Sequence, residues 1–417
     1  RGLLEASVRR CVGVMAAGVL LLGCAGPEKE IRKLEPEIES TIRVPVRAQS
    51  TLSERVDKER GRIVPTLAQP RPKSTEPSTS EPKASSKVAT PAPASAPEGP
   101  EVYSTWPDYQ LEHRYDCAGR LDKLEPSFKF NVGDTSGEIF GHRMEVQLGR
   151  SKSPQKLRIG VLSGPKDTSE KTQANLDFFL DWFEKERVDI VVMNGDVGYT
   201  PEEFEETMTR LGESGFIALV SAGNADMNVP FNRAARDVSA RYPNLVNANL
   251  VRLVDVGPVS LLILPGYHDA MFVSPGDGCQ YYREDLKDHA KLAEKGKGKP
   301  VLVAHGPPRG RDEDALDYAF DAGNVGDTAL NRFMSENDVK LGIFGHILEA
   351  GGRVVNPEKG RKVRPGKWAT NLWINAGCAT SLITELHDGT RHAGMAAIVE
   401  TDGSRSRYWL SRRKVQD

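Results

Sequence analysis

Positive charge is not in excess in this 417-residue sequence: 56 Lys and Arg stand against 58 Asp and Glu, for a formal net charge of -2. No surplus remains to neutralise a phosphate backbone, which argues against generic nucleic-acid binding but leaves a small anionic substrate open. Cysteine is scarce too, five in all with no cluster at metal-ligand spacing. The apolar run from Val12 to Leu22 falls short of the ~20 residues that span a bilayer comfortably. With 38% hydrophobic and 27% charged residues, however, the chain is not a wholly disordered polymer. Its length accommodates one large domain with appendages.

Arg9-Arg10 precede that apolar run and Leu21-Leu22-Gly23-Cys24 close it, which is the build of a signal peptide over residues 1–23. Gly23 directly before Cys24 resembles a bacterial lipobox, and the resemblance implies acylation of Cys24. An ordinary signal peptide and a plain N-terminal helix are the competing readings. Ala25, rather than Asp, after the cysteine implies by the same resemblance a lipid-anchored protein of the cell envelope, in the outer membrane and facing the periplasm or the surface. Cys117, Cys279 and Cys378 are then left in an oxidising compartment. Three cannot all pair. Cys378 sits in an apolar stretch and reads as buried, so Cys117 with Cys279 is the candidate bridge.

Residues 24–100 show no sustained apolar periodicity, and from Pro65 onward Pro, Ser, Ala and Thr dominate. Such a segment cannot bury enough apolar surface to offset its ordering entropy, so it reads as a disordered tether. Residues 101–153 are more mixed. The alternation in Phe128-Lys129-Phe130-Asn131-Val132 and Met144-Glu145-Val146-Gln147-Leu148, around Gly133-Asp134, predicts an accessory hairpin with no chemistry of its own.

The main domain is read over residues 154–417. Seven short apolar runs each end in a Gly-rich or polar loop: Ile159 to Leu162, Ile190 to Met193, Ile217 to Val220, Leu261 to Leu264, Val301 to Ala304, Leu341 to Phe344 and Leu372 to Ile374. Runs of this length between turn signals predict buried strands. Between them Leu176, Phe179, Leu180 and Phe183 fall at helical spacing, and Thr200-Pro201-Glu202-Glu203 is a capping box that opens a helix. Alternating strand and helix predicts a largely parallel sheet with functional residues at the strand ends.

Those ends carry Asn194-Gly195-Asp196, Gly223-Asn224-Ala225-Asp226, His305-Gly306-Pro307-Pro308 and Gly345-His346-Ile347-Leu348. Singly, each is an ordinary turn. In this order the set resembles the calcineurin-like metallophosphoesterase family, whose motifs run D-x-H, G-D, G-N-H-D/E, H and G-H-x-H. Asn375-Ala376-Gly377-Cys378 resembles that family's late N-x-G-S turn. The resemblance implies an α/β fold, an α/β/β/α sandwich with two packed central mixed sheets and a metal site at the C-terminal ends of strands. It also implies two divalent ions that clamp a phosphoester and supply hydroxide.

Carried over position by position, the family pattern is present on one side only. Asp196 matches the carboxylate that bridges both ions, and Asn224, His305 and His346 match the second ion's other ligands. The first motif instead reads Ser163-Gly164-Pro165-Lys166, with Gly164 and Lys166 at the Asp and His positions, and Leu348 replaces the last His. Ala225 replaces the His beside the leaving group. The resemblance therefore implies one divalent ion, Mn, Fe or Zn, on Asp196, Asn224, His305 and His346, which are the candidate catalytic residues.

Lys166 reads either as a fixed positive charge in the vacated position or as a solvent-exposed loop residue. Glu349, Asp167 and His268 are the alternative ligands, and Arg309 and Arg311 are candidate anion binders. The function implied is a phosphoric ester hydrolase of reduced activity on a phosphorylated small molecule. The alternatives are an inactive metal- or phosphate-binding module and a purely structural lipoprotein with an empty site.

Overall fold

A computed structural model describes residues 103–118, 121, 125–149 and 155–415. The expected signal segment with Cys24, and the tether, lie outside the described residues. No helix among the described residues is long and apolar enough to cross a membrane.

Each of the seven apolar runs forms a strand, and their alternation shows why two cores exist. Ile190 and Val192 enter one buried cluster while Val191 and Met193 enter another. Leu261, Ile263, Val301 and Val303 face the same central cluster, whereas Leu262, Leu264, Leu302 and Ala304 face a third. A strand with apolar side chains on both pleat faces must be covered on both sides. The central cluster lies between two sheets, and each outer cluster lies between a sheet and its helices.

The smaller sheet runs in the order Ser406–Arg412, Met395–Thr401, Leu157–Leu162, Ile190–Asn194, Ile217–Ser221 and Leu245–Asn247. Its last four strands are parallel, and Met395–Thr401 joins antiparallel with Ile398 opposite Gly160. The ten-stranded sheet has a parallel centre of Val259–Leu264, Lys299–Ala304, Leu341–Phe344 and Leu372–Asn375. Ser127–Val132, Thr135–Phe140 and Arg143–Gln147 extend it through Leu253–Val256, with Gly133-Asp134 as the first tight turn. Both sheets are therefore mixed, and the architecture is the α/β/β/α sandwich expected from the sequence.

The helix Glu170–Lys185 lays Leu176, Phe179 and Phe183 on the smaller sheet, all fully buried. Gly160 sits in the strand beneath because a β-carbon there would stand 2.7 Å from the Phe183 ring. In Pro201–Glu213 the capping box forms as written: the Glu203 amide donates to Thr200 Oγ1 at 3.2 Å, and the Thr200 amide donates to Glu203 Oε2 at 2.9 Å. Arg283–Lys295 and Thr328–Glu336 cover the larger sheet with Leu286, Leu292, Leu330 and Phe333.

Residues 103–118 are fastened to the body by polar side chains and one covalent bond. Asn232 and Asn228 donate to the carbonyls of Asp116 and Tyr115 at 2.7 and 2.6 Å, and the buried Arg252 donates to that of Ala118. Cys117 is disulfide-bonded to Cys279 across a sequence separation of 162, and Cys378 is a buried free thiol. Closing so long a loop removes much of the unfolded chain's freedom. The double substitution Cys117→Ser/Cys279→Ser is therefore expected to lower the unfolding free energy by about 2–5 kcal/mol. Urea unfolding without reductant checks this, with the loss absent when both proteins are compared in reductant.

Candidate functional site

Five strand ends converge. Leu157–Leu162 runs into Lys166, Ile190–Asn194 into Asp196, Ile217–Ser221 into Asn224, Lys299–Ala304 into His305 and Leu341–Phe344 into His346. Lys166, Asp196 and His346 have φ of 65°, 56° and 63°, the left-handed region that non-glycine residues avoid. Such backbone persists only where its surroundings over-determine it. Here the Gly164 and Lys166 amides donate to the Gly195 and Asp196 carbonyls at 2.9 and 3.2 Å, tying the first loop to the second.

Buried carboxylate and amide side chains tie the remaining turns. Asp226 accepts the amides of Val197, Gly198 and Gly223 at 2.8, 3.2 and 2.7 Å. Its burial, and then the nearby Asp196 charge, push its carboxyl up to about 7. Asn375 donates to the Gly345 and Ile347 carbonyls at 3.1 and 2.8 Å, and Asn249 accepts the Ala222 amide at 2.8 Å. These residues position the ligands without being ligands. Their only signal in the sequence is a polar residue at the end of an apolar run.

The two oxygens of Asp196 face different partners. Oδ2 pairs with the Lys166 ammonium at 3.0 Å. Oδ1 lies 3.2 Å from His305 Nε2 and accepts the Ala225 amide at 3.2 Å. His305 Nε2 is also 2.9 Å from Asn224 Oδ1, and the Asn224 amide group donates to the Phe272 carbonyl, which turns its oxygen inward. His346 completes the group: one ligand atom each from Asp196, His305 and His346 lies within 4.8 Å of the other two. The ring of Tyr267 packs on His346 with centroids 4.3 Å apart.

His305 Nδ1 faces the Asn194 carbonyl at 2.9 Å, and a carbonyl only accepts, so the proton sits on Nδ1. Nε2 then confronts two oxygens, and either a second proton or a cation must lie between them. Burial pulls the His305 imidazole down, but the Asp196 carboxylate outweighs it and raises it above its ordinary value. His346 is driven the other way, to about 3, by burial and by His305, so it is a neutral ring with a free lone pair. Burial alone would raise Asp196, but Lys166 and then His305 hold it well below the usual carboxylate range. Lys166, in turn, is held above its ordinary value by Asp196 against burial.

A carboxylate oxygen, an amide oxygen and two imidazoles form a donor set that fits a first-row divalent ion. On the Oδ2 side the position is held by Lys166, whose ammonium has no lone pair to give. Gly164 and Leu348 bring none either. The alternative ligands do not join the group: Asp167 accepts from the Ser169 amide and the Thr380 hydroxyl, and Glu349 lines a separate hollow with Arg353 and His387. His268 packs on the Tyr267 ring at 4.5 Å and, with Arg309, lines another groove. Arg311 is exposed.

Residues 160–350 match the family model described as calcineurin-like phosphoesterase. No curated protein matches the chain. Among solved structures it is similar to a protein from Thermus thermophilus, at 13% identity over 61% of this chain and 98% of that one, with a TM-score of 0.42. A dimetal phosphatase from Danio rerio is 11% identical over 62% of this chain and 99% of its own, with a TM-score of 0.41. GAP50 of Plasmodium, described as the anchor in the inner membrane complex, is 12% identical over 63% and 90%, with a TM-score of 0.40.

Gly223 packs directly on the ligands: a β-carbon there would stand 2.5 Å from the Asp196 nitrogen, 2.6 Å from its Oδ1 and 2.9 Å from His305 Cε1. None of these atoms is the end of a flexible chain. Gly223→Ala is therefore expected to cost about 1–3 kcal/mol in stability by overpacking. It should also weaken Mn binding by at least roughly tenfold, since a misplaced donor forfeits its share of the coordination. Urea unfolding and equilibrium metal titration check the two effects.

Proposed function

We propose, from the premise that residues 160–350 belong to the calcineurin-like phosphoesterase family, that this chain binds one divalent ion and acts as a slow phosphoester hydrolase of the cell envelope. The residues that would hold the ion are Asp196, Asn224, His305 and His346, with the Lys166 ammonium on the side of the family's first ion. The observation that carries this reading is the division of Asp196, with Oδ2 on an ammonium at 3.0 Å and Oδ1 in a cluster of lone pairs. It keeps the geometry of a carboxylate shared by two cations, with one of them a side chain.

When bound, a divalent ion supplies Lewis acidity to a phosphoryl oxygen and lowers the pKa of water. The chain's own contribution is positioning and fixed charge. Lys166 has three N–H donors and places one against Asp196 Oδ2, so two remain for phosphoryl oxygens. Its side chain is only 19% exposed, which strengthens such contacts relative to water. Ala225, beside the leaving-group position implied by the family, has no proton to donate. General acid catalysis is worth roughly 10²–10⁴ in rate, so esters with poor leaving groups should be disfavoured by that order.

The absence of that acid and of the first ion's ligands also supports a second reading, a phosphate-binding module without turnover. The Cys117–Cys279 disulfide supports an oxidising compartment, in keeping with an exported, lipid-anchored protein acylated at Cys24.

Metal analysis of the purified chain is expected to find about one divalent ion, by the count of complete ligand sets. Turnover of an aryl phosphate should need added Mn and vanish in Asp196→Asn. One ion with no turnover supports an inactive metal-binding module, and no ion at all excludes the metal-dependent hydrolase. Lys166→Met removes a positive charge a few ångströms from the ion and should tighten Mn binding by roughly tenfold or more. Unchanged affinity in a metal titration would place the ammonium elsewhere.

A further inference from the structure

The loop that starts at His305 continues into a groove of about 330 Å³ lined by His268, Tyr282, Arg283, Arg309 and Asp327 among others. Arg283 and Arg309 are both exposed. Neither guanidinium has an acidic partner within ion-pair distance among the described residues. They reach the groove from separate segments, Arg283 from the first turn of Arg283–Lys295 and Arg309 from the loop after Lys299–Ala304.

Arg309 is held in place by its backbone. Its amide donates to the Asp327 carbonyl at 3.1 Å and to Asn331 Oδ1 at 2.9 Å, and its carbonyl accepts from Asn331 Nδ2 at 3.1 Å. Asp327 brings a carboxylate to the wall, but Oδ1 accepts the Ala329 amide at 2.7 Å and Oδ2 accepts the Tyr281 hydroxyl at 3.0 Å. Each of its oxygens is therefore tied to a donor of the wall. His268 also lines the groove, with its Nδ1 buried and without a hydrogen-bond partner. The groove thus offers two guanidiniums without an ion-pair partner among the described residues, against Asp327 as the one carboxylate among its lining residues. Arginine forks recognise phosphate and carboxylate in this way.

The groove adjoins the Asp196 centre. Tyr267 packs on His346 on one side and on His268 on the other, at 4.3 and 4.5 Å. His305 and Arg309 are four residues apart, so their backbones are separated by no more than about 14 Å. That separation is within the length of a small molecule that carries an anionic group at each end.

We propose that the groove is a subsite for a second anionic group of the substrate, so that the substrate class is a phosphoester with another phosphate at its far end. This rests on the phosphoester-binding reading of the Asp196 centre. Equilibrium titration of the full chain in Mn with hexanediol bisphosphate and with hexyl phosphate tests it. The bisphosphate is expected to bind at least about tenfold tighter, the worth of a charge-assisted guanidinium contact. Arg283→Ala/Arg309→Ala should remove that advantage, with the thermal midpoint confirming that the variant folds. Equal affinities in the unsubstituted chain, or an advantage that survives both substitutions, overturn the proposal. Hexyl phosphate binding that needs the arginines and ignores Lys166→Met would uphold the groove as an anion site while overturning the reading of the Asp196 centre.

Discussion

Asp196 is 3% exposed, and a carboxylate taken that far from water loses hydration worth several kcal/mol unless positive charge replaces it. Both of its oxygens are supplied. Lys166 answers one, and the other looks into Asn224, His305 and His346, a set of lone pairs that calls for a proton or a metal ion. The organisation of the neighbouring loops follows from this requirement. Lys166 must turn back through a left-handed residue to reach Oδ2, and Asp196 must be left-handed itself to present its two oxygens to opposite sides.

Holding that arrangement takes much of the surrounding polar structure. Asp226, Asn249 and Asn375 act on backbone amides and carbonyls of the turns, which have no secondary-structure partners of their own. Gly195 and Gly223 let the turns approach to distances no β-carbon permits. The two parallel sheet centres deliver the turns to one place, and the central core locks the sheets together. The centre is thus built from five separate loops, but its rigidity comes from strands and buried amides.

Much of the frame was legible in the sequence. The seven apolar runs became strands at the expected positions, and the Thr200 capping box formed as read. Asp196, Asn224, His305 and His346 converge because each follows a strand end, a regularity visible as soon as the runs are marked. The partition into two sheets could not be read from the runs themselves, since strands buried on both faces look alike whichever sheet they join. The role of Lys166 was equally hidden, because whether a loop lysine points outward or inward depends on the left-handed turn through Gly164 and Lys166. Asp226 reads as a turn residue until the three amides it gathers are seen, and the pairing of Arg309 with Arg283 depends on a fold that joins segments far apart in sequence.

The central claim is that one carboxylate serves one metal ion and one ammonium. A crystal structure of the Mn-loaded protein, with anomalous scattering at the Mn edge, tests it most directly. The result predicted is a single anomalous peak bonded to Asp196, Asn224, His305 and His346, with Lys166 Nζ still on Asp196 Oδ2. Two peaks bridged by Asp196, or one peak in the place of the Lys166 ammonium, would contradict it.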